Sequence, residues 1–254
     1  MRKTSFLIFG ILAFFSFTGC ESNNPDLTIA VASNLQFVME EIVADYEKET
    51  GQKVQVVTGS SGKLFAQIKS GAPFDVFLSA DTLFPSRVIQ EDLATTNYHV
   101  FAYGVLVLWS SDTLKQNPTQ MLSKISESWK NTTKKWAIAN PKTAPYGYAT
   151  KRYLDALEVY QELLPYQVQG ESVAQVNQFV HAKSVAFGFT SLSSVMAKKI
   201  DSSFWFLINP NQYPHIQQTA LILNSSMKSN EFIKYLERPV AIKWLNAHGY
   251  IIPK

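Results

Sequence analysis

Cysteine is nearly absent from this chain of 254 residues, in which Cys20 is the only one. A single cysteine excludes an internal disulfide and a zinc cluster built from thiolates. Charged residues make up only 17% of the chain, and they nearly cancel, to a net charge of +3. A balance this close to neutral gives no case for nucleic-acid binding, which requires a strongly basic surface. The four histidines fall in no metal-binding or catalytic motif.

Long apolar runs are also missing, and the most apolar stretch stands at the start of the chain. Arg2 and Lys3 precede an apolar segment over 6–17 that is too short for a membrane-spanning helix. This pattern predicts a signal peptide over residues 1–19. The sequence Phe17-Thr-Gly-Cys20 resembles the lipobox of bacterial lipoproteins, which implies a lipid on Cys20 and a polar tether over 20–25. The alternative is an ordinary secreted protein that is cleaved nearby.

The remaining chain alternates predicted strands and helices, which indicates an α/β protein. Residues 27–32 form a nearly continuous apolar run, as expected of a parallel strand that is buried on both faces. Ser33 and Asn34 follow and are favoured helix N-cap residues. A second strand over 54–58 is followed by the turn Gly59-Ser-Ser-Gly62 and another helix. Because the carboxyl ends of parallel strands share one edge of a sheet, both turns are expected at a ligand-binding edge.

The turn over 59–62 has the features of an anion site without a formal charge. A helix that starts there leaves its first N–H groups unpaired, and the helix dipole adds partial positive charge. An ordinary serine-rich N-cap would look the same. A nucleotide phosphate loop is excluded, because Val57 replaces its first glycine and Leu64 replaces its serine or threonine.

The second half of the chain predicts a second lobe. An apolar stretch over 100–109 is long for one strand and marks the crossing between lobes. Further strands are predicted over 136–140, 184–189 and 219–224, and one last helix over 230–248.

Five segments of the chain form a recognisable set. The most specific is Gly71-Ala-Pro-Phe-Asp-Val-Phe-Leu-Ser-Ala-Asp81. The others are Ala30-Val-Ala-Ser-Asn-Leu35, Gly59-Ser-Ser-Gly-Lys-Leu64, Asn140-Pro-Lys-Thr-Ala-Pro-Tyr-Gly147 and Gly170-Glu-Ser-Val173. In this order along the chain, the segments resemble motifs of the periplasmic molybdate-binding proteins. The resemblance implies a two-lobed type II periplasmic binding protein fold with two hinge-crossing strands. On this basis lobe 1 is expected over 26–102 plus 222–254, and lobe 2 over 103–221.

The resemblance also implies a set of residues for an oxyanion ligand, with no cofactor besides that ligand. The implied ligand residues are Ser33, Asn34, Ser61, Tyr146 and Val173, which would hold the molybdenum as molybdate. Ser60, Gly147 and Ser191 would lie around them. Some members of the family place a tyrosine hydroxyl at the position of Ser191, so here the Asn34 amide is expected to supply the missing donor.

Molybdate is a fully deprotonated dianion near neutral pH, so a site made only of hydrogen-bond donors suits it. The resemblance implies binding of molybdate, and of the similarly sized tungstate, by a monomer in the periplasm that the lipid on Cys20 would anchor to the membrane. The partners would be the permease and ATPase subunits of an ABC transporter.

Three alternatives stay open. The first is a binding protein for another tetrahedral oxyanion such as sulfate. The second is an enzyme with Ser60 or Ser61 as nucleophile, which would need a base nearby. The third is a ligand-sensing module that signals instead of feeding a transporter.

Overall fold

The computed structural model describes residues 24–130 and 132–253. The predicted signal peptide, Cys20 and most of the predicted tether therefore lie outside the described residues. Within the described part of the chain, no helix has the length and apolarity of a membrane span.

The first lobe is built on a five-stranded mixed sheet with the strand order β2-β1-β3-β10-β4. Strand β1 pairs in parallel with β2 and β3, and β10 runs antiparallel to β3 and β4. The strands are β1 (Leu27–Ala32), β2 (Val54–Gly59), β3 (Val76–Ser79), β4 (His99–Gly104) and β10 (Ile216–Ile222). The carboxyl ends of β1, β2 and β3 consequently lie side by side at one edge of the sheet.

The second lobe repeats this plan in a sheet with the order β7-β6-β8-β5-β9. Here β6 pairs in parallel with β7 and β8, while β5 runs antiparallel to β8 and β9. The strands are β5 (Leu106–Ser110), β6 (Trp136–Ala139), β7 (Gln167–Gly170), β8 (Phe187–Ser191) and β9 (Trp205–Leu207).

Helices cover both sheets because each carries one apolar face. In α1 the buried residues include Val38, Ile42 and Tyr46, which recur at helical spacing, and Gly51 ends the helix in a left-handed conformation. The helices are α1 (Gln36–Thr50), α2 (Ser61–Lys69), α3 (Leu83–Gln90), α4 (Pro118–Leu122), α5 (Ile125–Ser128), α6 (Pro145–Ala156), α7 (Tyr160–Leu163), α8 (Val173–His181), α9 (Leu192–Ala197), α10 (Met227–Leu236) and α11 (Pro239–Ala247).

Two short segments carry the chain between the sheets. Val105 alone separates β4 in the first sheet from β5 in the second, and residues 208–215 return the chain from β9 to β10. The C-terminal segment reinforces this hinge, because Tyr103 and Ile251 exchange main-chain hydrogen bonds of 2.7 and 3.0 Å. The predicted two-lobed fold with two hinge crossings is confirmed.

Sheet membership differs from the predicted lobe boundaries at both crossings. Residues 103–104 and 216–221, which the prediction placed in lobe 2, pair within the first sheet. An apolar strand has the same pattern in either sheet, so its residues do not show which neighbours it will join. The single helix predicted over 230–248 is also wrong, since α10 ends at Leu236 and α11 begins at Pro239. Proline has no N–H for the preceding turn, so it starts a new helix there.

Candidate functional site

A small cavity lies between the lobes at the point where several helices begin. Six of its lining residues belong to the first lobe and five to the second. They are Ala32, Ser33, Asn34, Ser60, Ser61 and Ala80 from the first lobe, and Ala144, Pro145, Tyr146, Ser172 and Val173 from the second. The carboxyl edges of the two sheets therefore face each other across this cavity.

Three helices aim their N-termini at the cavity because each follows a strand through a tight turn. Helix α2 follows β2, α6 follows β6, and α8 follows β7. Their N-cap residues, Ser60, Ala144 and Ser172, have extended backbones, and none of the three caps its helix through a side-chain hydrogen bond. Apart from the Gly62 N–H, which donates to the Thr143 carbonyl, the first N–H groups of these helices are therefore left without an intrahelical or side-chain acceptor. Such groups, together with the helix dipoles, form a site for an anion.

None of the lining side chains in the described structure is charged. The cavity thus offers N–H and O–H donors but no carboxylate that could accept a proton from a ligand. Among residues 24–130 and 132–253 there is also no group of three or more His, Cys, Asp or Glu side chains that could hold a metal cation. The arrangement favours an anion with acceptor groups only.

Ser61 is the lining hydroxyl whose orientation the structure fixes most clearly. Its side chain is fully buried, and its Oγ accepts a hydrogen bond of 3.1 Å from the Ala80 main-chain N–H. Because that bond occupies an oxygen lone pair, the hydroxyl proton stays available for a ligand. Ser33 follows β1 directly and is also buried, with 7% of its surface exposed.

The structure brings together all five residues predicted as ligands. Ser33, Asn34, Ser61, Tyr146 and Val173 all line the cavity, and so does Ser60. Gly147 and Ser191 do not line it. At Gly147 a Cβ atom would overlap the Ala139 carbonyl oxygen, so this glycine lets α6 pack closely on the end of β6. Ser191 instead caps α9, where its Oγ accepts from the Ser194 N–H at 3.3 Å.

The Asn34 amide has a different role from the predicted one. Its Nδ2 donates to Gln218 Oε1 at 2.7 Å and to the Tyr250 hydroxyl at 3.1 Å. Both amide hydrogens are thus used within the protein, and Asn34 can offer the cavity only its main-chain N–H. The expectation that this amide replaces a missing tyrosine donor does not agree with the structure.

The lobes also touch directly beside the cavity, through one main-chain hydrogen bond and one ion pair. The Gly62 N–H of α2 donates to the Thr143 carbonyl of the second lobe at 2.8 Å. Lys63 Nζ lies 3.1 Å from Glu171 Oε2, in an ion pair that is largely exposed and therefore contributes little stability. No pattern in the sequence relates residues that are so far apart in the chain.

Asp81 lies next to Ala80 and lines a larger neighbouring cavity between the lobes. Its Oδ1 accepts from the N–H of Phe84, in the first turn of α3, at 3.2 Å. The same oxygen accepts from Ser79 Oγ at 3.0 Å. Burial raises the pKa of this carboxyl from 3.8 to about 6, although the two hydrogen bonds oppose the shift.

The pKa of Asp81 predicts a pH-dependent stability. Because the pKa is raised in the native state, the carboxyl of Asp81 stabilises the native state fully only below its ordinary pKa of 3.8. This contribution to the free energy of unfolding is lost as the pH rises through about 6. Asp81→Asn keeps an oxygen acceptor for α3 and removes the ionisation. Between about pH 4 and about pH 7, the wild type should lose about 2 kcal/mol more unfolding free energy than the variant. Urea unfolding of both proteins across this range measures the difference, and parallel pH profiles would contradict it.

Comparisons with known proteins relate this chain to extracellular solute-binding proteins. A family model described as bacterial extracellular solute-binding protein matches residues 27–251. The chain is 34% identical over 236 residues to the molybdate-binding protein ModA of Azotobacter vinelandii, covering 91% of this chain and 92% of that protein. It is 33% identical over 230 residues to ModA of Rhodobacter capsulatus, covering 89% of this chain and 88% of that protein.

Solved structures give the same result at the level of the fold. The periplasmic molybdate-binding protein of Azotobacter vinelandii superposes with a TM-score of 0.82 at 29% identity, over 90% of this chain and 100% of that one. The sulfate-binding protein SubI of Mycobacterium tuberculosis shares the fold with a TM-score of 0.67 at 10% identity, over 89% of this chain and 86% of that one.

Proposed function

Since the chain belongs to the bacterial extracellular solute-binding proteins, and within them to the molybdate-binding proteins, we propose that it captures molybdate between its lobes and delivers it to an ABC transporter. The observation that carries the proposal is the cavity between the lobes, which is lined by helix N-termini and serine residues and by no charged side chain. Molybdate is a tetrahedral dianion whose oxygens only accept hydrogen bonds, so this donor set matches it. Hydrogen bonds to a charged acceptor are also stronger than neutral ones.

The proposed contacts use one or two donors from each lining segment. In the first lobe these are the Ser33 hydroxyl, the Asn34 main-chain N–H, and the hydroxyl and N–H of Ser61. In the second lobe they are the main-chain N–H groups of Tyr146 and Val173. Because both lobes contribute donors, the anion would hold the lobes together.

Tungstate is nearly the same size as molybdate, so we propose that it binds as well. Sulfate carries the same charge but is smaller. If the closed lobes stay far enough apart to fit molybdate, their donors would be too far from the sulfate oxygens to bind it tightly. Phosphate keeps a proton near neutral pH and needs an acceptor, which the lining side chains do not offer. A catalytic role for Ser60 or Ser61 would need an adjacent base, and the lining residues include neither histidine nor carboxylate.

The partners follow from the same proposal. The loaded, closed protein would dock on a membrane permease that is driven by cytoplasmic ATPase subunits. It would act as a monomer in the periplasm, held at the membrane by a lipid on Cys20.

Thermal unfolding with four anions tests the proposed ligand. A ligand present at a thousand times its dissociation constant adds about 4 kcal/mol to the native state, which raises the melting temperature by several degrees. For the protein lacking residues 1–21, we expect this shift with molybdate and tungstate and little change with sulfate or phosphate. A shift with sulfate alone would support an oxyanion-binding protein but reject molybdate as its ligand. No shift with any of the four anions would reject the proposal.

A further inference from the structure

A buried polar cluster lies behind the anion cavity, at the hinge. We call Asn34, Ser193, Gln218 and Tyr250 the hinge cluster. All four side chains are buried, with 4% or less of their surface exposed. Of the four, only Asn34 lines the cavity.

The hinge cluster holds the turn at Asn34 through both its side chain and its main chain. The side-chain amide of Asn34 donates to Gln218 and Tyr250, and Gln218 Nε2 donates in turn to the Ile216 carbonyl at 3.0 Å. The main-chain carbonyl of Asn34 accepts from the Tyr250 hydroxyl at 2.7 Å and from Ser193 Oγ at 2.8 Å. Both the side-chain amide and the main-chain carbonyl of Asn34 are therefore bonded to residues that do not line the cavity.

The cluster also joins the two lobes at the cavity wall. Ser193 belongs to α9 of the second lobe, whereas Asn34 and Gln218 belong to the first. Tyr250 also lies with the first lobe, since the adjacent Ile251 pairs with Tyr103 of β4. The bond from Ser193 to the Asn34 carbonyl thus ties the second lobe to a turn that lines the cavity in the first lobe. One of the bonds that hold this turn therefore comes from the second lobe.

We propose that Ser193, Gln218 and Tyr250 are positioning residues of the anion site. They fix the turn formed by Ser33 and Asn34 so that its hydroxyl and main-chain N–H groups face the cavity, and Ser193 makes this alignment depend on lobe closure. The inference rests on the proposed function, because it assigns these residues to the same site. Donors held in place before binding lose little further freedom when the anion enters, which increases affinity.

Two single variants with matched controls test the positioning role. Ser193→Ala removes the bond to the Asn34 carbonyl, and Tyr250→Phe removes the hydroxyl that bonds to the same residue. Ser229→Ala is the control for the first, since its buried Oγ also donates to a carbonyl, that of Asn224, at 2.8 Å. Tyr46→Phe is the control for the second, since Tyr46 is also buried and its hydroxyl donates to Gln52 Oε1 at 2.9 Å. Neither control residue lines the cavity.

Calorimetric titration with sodium molybdate and urea unfolding of the anion-free protein are measured for all five proteins. We expect Ser193→Ala and Tyr250→Phe each to weaken molybdate binding by about fivefold to tenfold. The controls should bind molybdate like the wild type while losing comparable unfolding free energy. That contrast separates a positioning role from a general loss of stability.

The outcomes that overturn the inference differ from those that overturn the proposed function. Wild-type affinity in both cluster variants, or equal losses in variants and controls, would reject the positioning role alone. If the wild type binds sulfate and not molybdate, the proposed ligand fails and the same comparison of variants is made with sulfate. Binding of neither anion would overturn both.

Discussion

Replacing Ser61 by alanine should weaken molybdate binding by about 10-fold to 100-fold, because one hydrogen bond to a charged acceptor contributes roughly 1.5 to 3 kcal/mol. The Ser61 Oγ already accepts from the Ala80 N–H, so its single proton is free for the anion. The variant also leaves that N–H without its acceptor in a buried place. Calorimetric titration with molybdate gives the ratio of the two affinities.

Ser226→Ala is the matched control for this change. Ser226 stands at the start of α10, and its Oγ accepts from the Ser229 N–H at 3.0 Å, so it loses the same kind of bond away from the cavity. We expect this variant to lower stability and keep the affinity. If Ser61→Ala binds molybdate as tightly as Ser226→Ala does, the Ser61 hydroxyl is no ligand.

Gly62→Ala should have a still larger effect, on the order of a 100-fold loss of molybdate affinity or more, because it keeps the lobes from closing. A Cβ atom here would lie 2.6 Å from Phe84 Cζ and 2.9 Å from Thr143 Cα. The Phe84 ring tip belongs to the same lobe and can move aside. The Thr143 Cα is a backbone atom of the second lobe, so it can make room only if the whole second lobe moves away. That movement also takes the Tyr146 and Val173 N–H groups away from the anion.

The first lobe should tolerate this change, since alanine is favoured over glycine inside a helix by about 1 kcal/mol. Gly59→Ala is the matched control, because its Cβ would meet only the Leu64 side chain of the same lobe, at 3.3 Å. Small-angle scattering should show that molybdate compacts the wild type and Gly59→Ala but leaves Gly62→Ala extended. Compaction of Gly62→Ala to the wild-type dimensions would refute the closing role of this contact.

The sequence predicts that Ser33, Ser61, Tyr146 and Val173 lie at the carboxyl edges of the sheets. Each follows a strand or begins the helix after one, and parallel strands place such turns at one edge of a sheet. Their assignment to a molybdate site came from the family resemblance. The break before Pro239 was also within reach, since proline disrupts a helix interior.

The direction of the Asn34 side chain could not be predicted in this way. It depends on Gln218 and Tyr250, which lie 184 and 216 residues further along the chain. The contact of Gly62 with Thr143 is likewise a product of the folded arrangement. Local patterns report which residues start a helix, whereas contacts between lobes depend on how two separately patterned sheets meet.

The interrupted first lobe has a consequence for the order in which the protein folds. Its sheet is incomplete until β10 has been synthesised, because β10 separates β3 from β4. The strands of the second sheet all lie within residues 106–207, so that lobe can form as one continuous unit. Contacts between distant parts of a chain form slowly, because the loop between them must close first. We therefore expect the second lobe to fold first, and the turn that carries Ser33 to reach its final place only when the last residues of the chain arrive.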